Sequence, residues 1–276
     1  MRIEIENLRF TFPGGVEALR GVSLAFEPGE MAAIVGQNGA GKTTLLRHLN
    51  GLLQPAQGTV RIADWDTRQH TVAQLAARVG IVFQNPDEQL FCRTVREEVA
   101  FGPTNLRYAA QRKEHLVQEA LALTELTGKE EVNPYDLSPA WRKMVALASI
   151  LAMDTPIVLL DEPTTGQDAV NAARIAHIAR TLHGQGKTVI AISHDIDFCA
   201  ENFYRIIAMG NGTVLLDGAP REVLANEATL AATYVDPPQL TRLGRRLGFP
   251  STVCTENEFF EAYRQLRARR GTPSHF

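Results

Sequence analysis

Gly36-Gln37-Asn38-Gly39-Ala40-Gly41-Lys42-Thr43 fits G-x-x-x-x-G-K-[ST] at every fixed position. Met31-Ala32-Ala33-Ile34-Val35 before it is an apolar run that reads as a buried strand, and Thr44-Leu45-Leu46-Arg47-His48-Leu49 after it reads as the first turns of a helix. That strand–loop–helix context is what the pattern needs. Glycines at 36, 39 and 41 let the backbone wrap an anion and aim successive N–H groups at it, with Asn38 and Ala40 between them. The helix N-terminus adds a partial positive charge. In such a loop Lys42 reaches the β- and γ-phosphates of a nucleotide, and the Thr43 hydroxyl holds Mg²⁺.

Further along, Pro156-Ile157-Val158-Leu159-Leu160-Asp161-Glu162-Pro163 is an apolar strand ending in two acids. In a parallel sheet that end faces the ligand crevice. Asp161 suits the Mg²⁺ shell and Glu162 suits general-base work on an attacking water. Val79-Gly80-Ile81-Val82-Phe83 is a second buried strand and delivers Gln84 to the same edge, placed to touch a metal-bound water. Thr188-Val189-Ile190-Ala191-Ile192 is a third and delivers His194. Taken singly, the strand-end glutamine is a weak signal and a strand-end histidine is usually structural; the edge shared with Asp161 raises the case for His194.

The remaining signals set the organisation. Arg2-Ile3-Glu4-Ile5-Glu6 and Leu19 to Phe26 alternate as half-buried antiparallel strands. Phe12 is either a base-stacking aromatic or an ordinary strand aromatic, and its own neighbourhood favours the latter. Gln57-Gly58 reads as a turn before the strand Thr59 to Ile62. Helices are expected over Thr94 to Phe101, with Thr94 and Glu97 forming a capping box, over Arg107 to Leu126, and over Ser138 to Met153, with Ser138 as N-cap and Pro139 first. Ala169 to Leu182 is an amphipathic helix, and Gly210-Asn211-Gly212 joins a hairpin. Residues 221–276 read as helical, broken at Pro237-Pro238 and Phe249-Pro250, with a frayed tail from Arg267 to Phe276.

The chain has 276 residues, 45% apolar and 21% charged, with a net charge of −3. That is enough for one large domain with an appendage and offers no field to attract nucleic acid. Cys92, Cys199 and Cys254 are scattered, form no metal cluster and fit a reducing compartment. Met1-Arg2-Ile3-Glu4 opens directly into strand-like sequence, with no signal peptide visible. No apolar run approaches the ~18–20 residues a membrane span needs, so a membrane role requires another chain to do the spanning.

Taken together, the ordered motifs resemble the ATP-binding-cassette ATPases over about residues 1–220. They are the P-loop Gly36 to Thr44, the Q-loop at Gln84, the Walker B strand Ile157 to Asp161 with Glu162, the D-loop Thr165-Gly166-Gln167-Asp168 and the switch histidine His194. The resemblance implies an α/β P-loop NTPase. Its RecA-like mixed-sheet core (1–86 and 154–220) would carry an N-terminal antiparallel β-subdomain, an inserted helical subdomain (87–153) and a C-terminal helical extension (221–276). It implies ATP and Mg²⁺ as ligands, with Thr43, Gln84 and Asp161 on the metal and Gly36 through Thr44 on the phosphates. It also makes Phe12 the base-stacking aromatic, and places Ser138 and Asp168 at a nucleotide shared with a second subunit.

A narrower likeness lies in Phe83 to Phe91 and Thr94 to Pro103, which look like the energy-coupling factor branch. Those ATPases drive uptake of vitamins or of cobalt and nickel ions. They sit peripherally on the cytoplasmic face of the membrane with a transmembrane coupling subunit and a substrate-capturing membrane subunit. The sequence departs from the family's Leu-Ser-Gly-Gly-Gln signature, which stands here as Leu137-Ser138-Pro139-Ala140-Trp141. Pro139 has no N–H to give. Losing one preorganised donor to a developing oxyanion costs ~3 kcal/mol, or ~10²-fold in rate. The motifs kept for the chain's own site are intact while the motif lent to a neighbour is impaired, which fits a heterodimer of cassettes, with a homodimer as the alternative. The ATPase of a conventional importer and a catalytically weak regulatory subunit remain open. A chromosome-maintenance ATPase would need a coiled-coil insertion between Gln84 and Leu137, for which there is no room.

Overall fold

The computed structural model describes residues 1–233 and 235–269. In chain order the elements are β1 (Ile3–Thr11), β2 (Glu17–Phe26), β3 (Met31–Val35), α1 (Lys42–Leu49), β4 (Gln57–Ile62), β5 (Trp65–Asp66), α2 (Val72–Leu75) and β6 (Val79–Val82). There follow α3 (Val95–Asn105), α4 (Ala110–Leu123), α5 (Pro139–Leu151), β7 (Ile157–Asp161), α6 (Ala169–Gly184), β8 (Thr188–Ile192), α7 (Ile196–Asn202), β9 (Arg205–Gly210) and β10 (Thr213–Gly218). The chain closes with α8 (Pro220–Ala225), α9 (Glu227–Ala232), α10 (Gln239–Leu247) and α11 (Glu256–Arg269).

Two sheets result. One is four-stranded in the order β2-β1-β4-β5, and the other is six-stranded in the order β10-β9-β3-β8-β7-β6. The first is antiparallel. In the second, β9, β3, β8, β7 and β6 run parallel and β10 returns as a hairpin on β9. This is the mixed α/β architecture that the apolar strands foretold.

The period-2 geometry of a strand splits the core in two. Ala32 and Ile34 of β3 face the antiparallel sheet and α1, packing with Ile3, Leu8, Phe26, Leu45 and Leu46. Met31, Ala33 and Val35 face the other way and join Val99, Met144 and Ile178 of the helices and Leu160 of β7. Both faces of β3 are therefore dry, so the loop that leaves it starts from a rigid base. Arg205 ties the layers together, donating to Asp217 through two nitrogens, to Glu30 and to the Ala25 carbonyl.

Several local expectations change. Gly58 is not a turn but lies inside β4, with φ +83° and an added Cβ only 2.3 Å from the Glu6 and Asn7 carbonyl oxygens. Opposite it β1 breaks register around Asn7, so residues 3–11 form one bulged strand where shorter ones were expected. Thr94 does cap α3 by accepting from the Glu97 N–H, but the Glu97 carboxylate turns to the Arg93 N–H, so the box is not reciprocal. The helix α3 also passes Phe101 and carries Gly102-Pro103 before ending at Asn105. The Ser138 cap and Pro139 start of α5 stand as expected. In the appended region, α11 continues through Arg267 to Arg269. The rest of the expected frayed tail lies outside the described residues. No helix among the described residues is long and apolar enough to cross a membrane.

Candidate functional site

Neighbouring strands of the parallel sheet deliver the candidate residues along one rim. β3 ends in the Gly36 loop, β8 beside it ends toward His194, β7 next ends in Asp161-Glu162, and β6 at the edge ends toward Gln84. Above this rim lies a cavity of about 740 Å³. Gly36, Asn38, Gly39, Gly41, Lys42, Thr43, Thr44, Gln84, Glu162 and His194 line it. Ala40 lies buried beneath the loop.

The loop is built for close approach from above because it is packed from below. A Cβ at Gly36 (φ +151°) would stand 2.2 Å from the Met209 carbonyl oxygen. Lys42 folds back, its Nζ donating to the Gly36 carbonyl at 2.7 Å and the Gln37 carbonyl at 3.1 Å. Burial lowers its pKa, and the Glu162 and Asp161 carboxylates work against that. Thr43 Oγ1 donates to Asp161 Oδ1 at 3.2 Å, so the hydroxyl and carboxylate suited to a hard cation are already paired. Desolvation raises the Asp161 pKa, the Thr43 hydrogen bond opposes the rise and the Glu162 charge adds to it.

Glu162 is buried and sits at φ +46°, an uncommon backbone for a side chain with a Cβ. Its Oε2 accepts from the His194 backbone N–H at 3.3 Å and lies 2.7 Å from His194 Nδ1. The carboxylate is thus held at one point while the imidazole stands exposed.

Other predicted residues lie elsewhere. Phe12 is 39% exposed beyond the end of β1, in edge contact with Phe10, and is not among the residues lining the cavity. Ser138 accepts from the Trp141 N–H and Asp168 accepts from the Asn171 N–H, so both serve here as N-caps of α5 and α6. The Trp141 ring lies beside both Lys129 and Arg174, with its centre 5.0 Å from one cation and 5.3 Å from the other.

Sequence reasoning missed three groups. Lys143, fully buried on α5, donates to the Phe83 carbonyl at 3.0 Å and the Gln84 carbonyl at 2.6 Å, and burial lowers its pKa to about 8. A lone lysine on the apolar face of α5 was the signal available. Glu98, also buried, accepts from the Phe91 and Cys92 N–H groups at 2.8 Å each. The third group is the segment 235–239 with Arg242, which lines the same cavity. Nothing in its composition pairs it with a loop so far back in the chain.

A loop of backbone donors, a paired hydroxyl and carboxylate, and a second carboxylate aimed by a histidine form one rim. The family model described as "ABC transporter" matches residues 19–165. The chain belongs to the ABC transporter family. It is an ATPase of that family, whose members couple ATP hydrolysis to transport. An energy-coupling factor transporter ATP-binding protein, EcfA, of Methanothermobacter thermautotrophicus is 40% identical over 96% of this chain and 86% of its own length. The protein cbiO1 of Clostridium perfringens, described as part of the ABC transporter complex cbiONQ, superposes with a TM-score of 0.75. Its identity is 31%, over 89% of this chain and 98% of that one. The ATP-binding cassette MJ0796, a dimer in a post-hydrolysis state bound to ADP and Pi, gives a TM-score of 0.72. Its identity is 28%, over 79% of this chain and 99% of that one.

Proposed function

We propose that this ABC ATPase is the ATP-binding and ATP-hydrolysing subunit of an energy-coupling factor importer that takes up a vitamin or a cobalt or nickel ion. It would sit peripherally on the cytoplasmic face of the membrane with a transmembrane coupling subunit and a substrate-capturing subunit. The likeness to EcfA and to cbiO1 supports that branch. The observation that carries the catalytic reading is the Glu162–His194 contact at 2.7 Å on the same rim as the Thr43–Asp161 pair.

The phosphates of ATP would lie on the N–H groups of Gly36 through Thr44, with Lys42 exchanging its loop carbonyls for phosphate oxygens. The buried Asp161, hydrogen-bonded to Thr43 and joined by Gln84, is a donor set that fits Mg²⁺. When bound, that ion would neutralise charge on the phosphates. Glu162 takes the proton of the attacking water, and His194 fixes the carboxylate's direction. Phe12 would stack on the base. Ser138 and Asp168 act on the nucleotide of the opposite cassette.

Two cassettes close over two nucleotides. The Pro139 defect in the lent signature supports a heterodimer in which a second cassette subunit supplies a sound signature to this chain's site. The membrane subunit would be met by the groove near Gln84 and the helical subdomain. There Phe91 and Phe101 expose an edge-to-face pair with ring centres 4.7 Å apart. Such an apolar pair in water is expected of a docking face.

Glu162→Gln keeps the shape and removes the base. Turnover is expected to fall by about 10²–10⁴-fold with ATP still bound. Hydrolysis at the wild-type rate in that variant would refute the assignment.

A further inference from the structure

The cavity above the P-loop has a wall that belongs to none of the family's motifs. The segment from Val235 to Gln239, together with Arg242 of α10, lines it along with the phosphate loop. This wall is fixed rather than loosely laid. The Gln37 N–H, inside the P-loop, donates to the buried Thr233 carbonyl at 3.1 Å. Asp197, three residues after the switch histidine, lines the cavity together with Gln239 at the start of α10. Arg245 donates to the Leu224 and Ala225 carbonyls and pairs with Glu227, holding the far end of α10 to α8 and α9. The Thr241 hydroxyl bonds the Val253 carbonyl.

On this anchored helix Gln239 and Arg242 stand three residues apart, hence on one face, and both line the cavity. The Arg242 side chain is half exposed, and its nearest carboxylate, that of the exposed Asp236, lies at 4.0 Å. That distance leaves the guanidinium fork uncommitted. The charge of the lining makes its presence telling. Glu162, Asp195, Asp197 and Asp236 contribute four carboxylates, while Lys42 and Arg242 are the only lysine and arginine among the described lining residues. Arg242 is thus the second fixed cation that a polyphosphate meets against those four carboxylates.

We propose that Arg242 is a nucleotide ligand supplied by the site's own chain, meeting the terminal phosphate. The reading rests on the assignment of this cavity to MgATP. The lining selects the phosphate, because the carboxylates that Arg242 offsets, Glu162, Asp195 and Asp197, line the cavity with His194, where the bond is broken. A planar guanidinium presents paired donors to phosphate oxygens, as a lysine does not. In a homodimer each site receives a signature without the Pro139 N–H, and Arg242 then furnishes a donor from within.

The test compares the full chain with Arg242→Gln, Arg242→Lys and Lys42→Ala, measuring calorimetric binding of the imido analogue of ATP and of ADP in the presence of Mg²⁺. For Arg242→Gln the imido analogue is expected to bind about tenfold more weakly, with ADP affinity within about twofold of wild type and Arg242→Lys intermediate. Unchanged affinity for both nucleotides, or equal losses for both, overturns the role of Arg242. Lys42→Ala is expected to lose binding of both. If it does so while Arg242→Gln matches wild type, the nucleotide site stands and this inference falls. Wild-type binding in Lys42→Ala overturns the site itself and the inference with it.

Discussion

Removing the Glu98 carboxylate is expected to release the loop that carries Phe91. Glu98 is buried, and a single oxygen, Oε2, accepts from two successive backbone N–H groups, those of Phe91 and Cys92, at 2.8 Å each. A hydrogen bond to a charged acceptor contributes about 1.5–3 kcal/mol. Because the two donors share one oxygen and lie only part-buried, the pair is taken as about 3 kcal/mol rather than twice the upper value. At roughly 1.4 kcal/mol per decade, that is about 10²-fold in the opening equilibrium of the loop. In native-state hydrogen exchange, Glu98→Ala should speed exchange at the Phe91 and Cys92 amides by that factor while amides of β3 and β8 keep their protection. Glu98→Gln retains an acceptor and loses the charge, so it should fall between. The Phe91–Phe101 contact should loosen with the loop, weakening association with the membrane subunit. Exchange at the two amides within threefold of wild type in Glu98→Ala would show that the carboxylate does not hold the loop.

Two further outcomes follow from other sites. Gly58→Ala places a Cβ 2.3 Å from two carbonyl oxygens at φ +83° and is expected to destabilise the antiparallel sheet by about 2–4 kcal/mol; an unchanged urea midpoint would count against the bulge. Converting Pro139 and Ala140 to glycine returns the missing N–H to the signature without disturbing Trp141, and should raise turnover at the site that α5 completes by about 10²-fold; steady-state ATPase activity that stays level would remove the argument for an impaired signature.

The parallel core and its rim were legible because each depends on local pattern. A dry strand followed by a glycine loop, or by two acids, carries its meaning within about ten residues, and strand ends of one sheet must share an edge. Gly58 misled because a left-handed glycine in a turn and one in a bulge look alike until the partner strand is known. Glu97 misled for a similar reason: the spacing of a capping box was present, but the Arg93 N–H competed for the carboxylate. Lys143 left only a lone lysine on an apolar helix face as its signal and Arg242 left none, because each meets the site through contacts far apart in sequence, Lys143 with the Phe83 and Gln84 carbonyls and Arg242 with a cavity begun at Gly36. The contacts of Trp141 with Lys129 and Arg174, which help fasten the start of α5, are long-range for the same reason.

The strand order has a bearing on how this protein is made. β8 is threaded between β3 and β7, although both of those are synthesised before it. Until residues 188–192 emerge from the ribosome, the two strands that bear the phosphate loop and the acids have no common neighbour to set their spacing. A nascent chain halted short of that point would hold every glycine of the loop and both carboxylates and still gain nothing from ATP. Nucleotide should therefore rescue folding only late in translation, as the middle strand slides home.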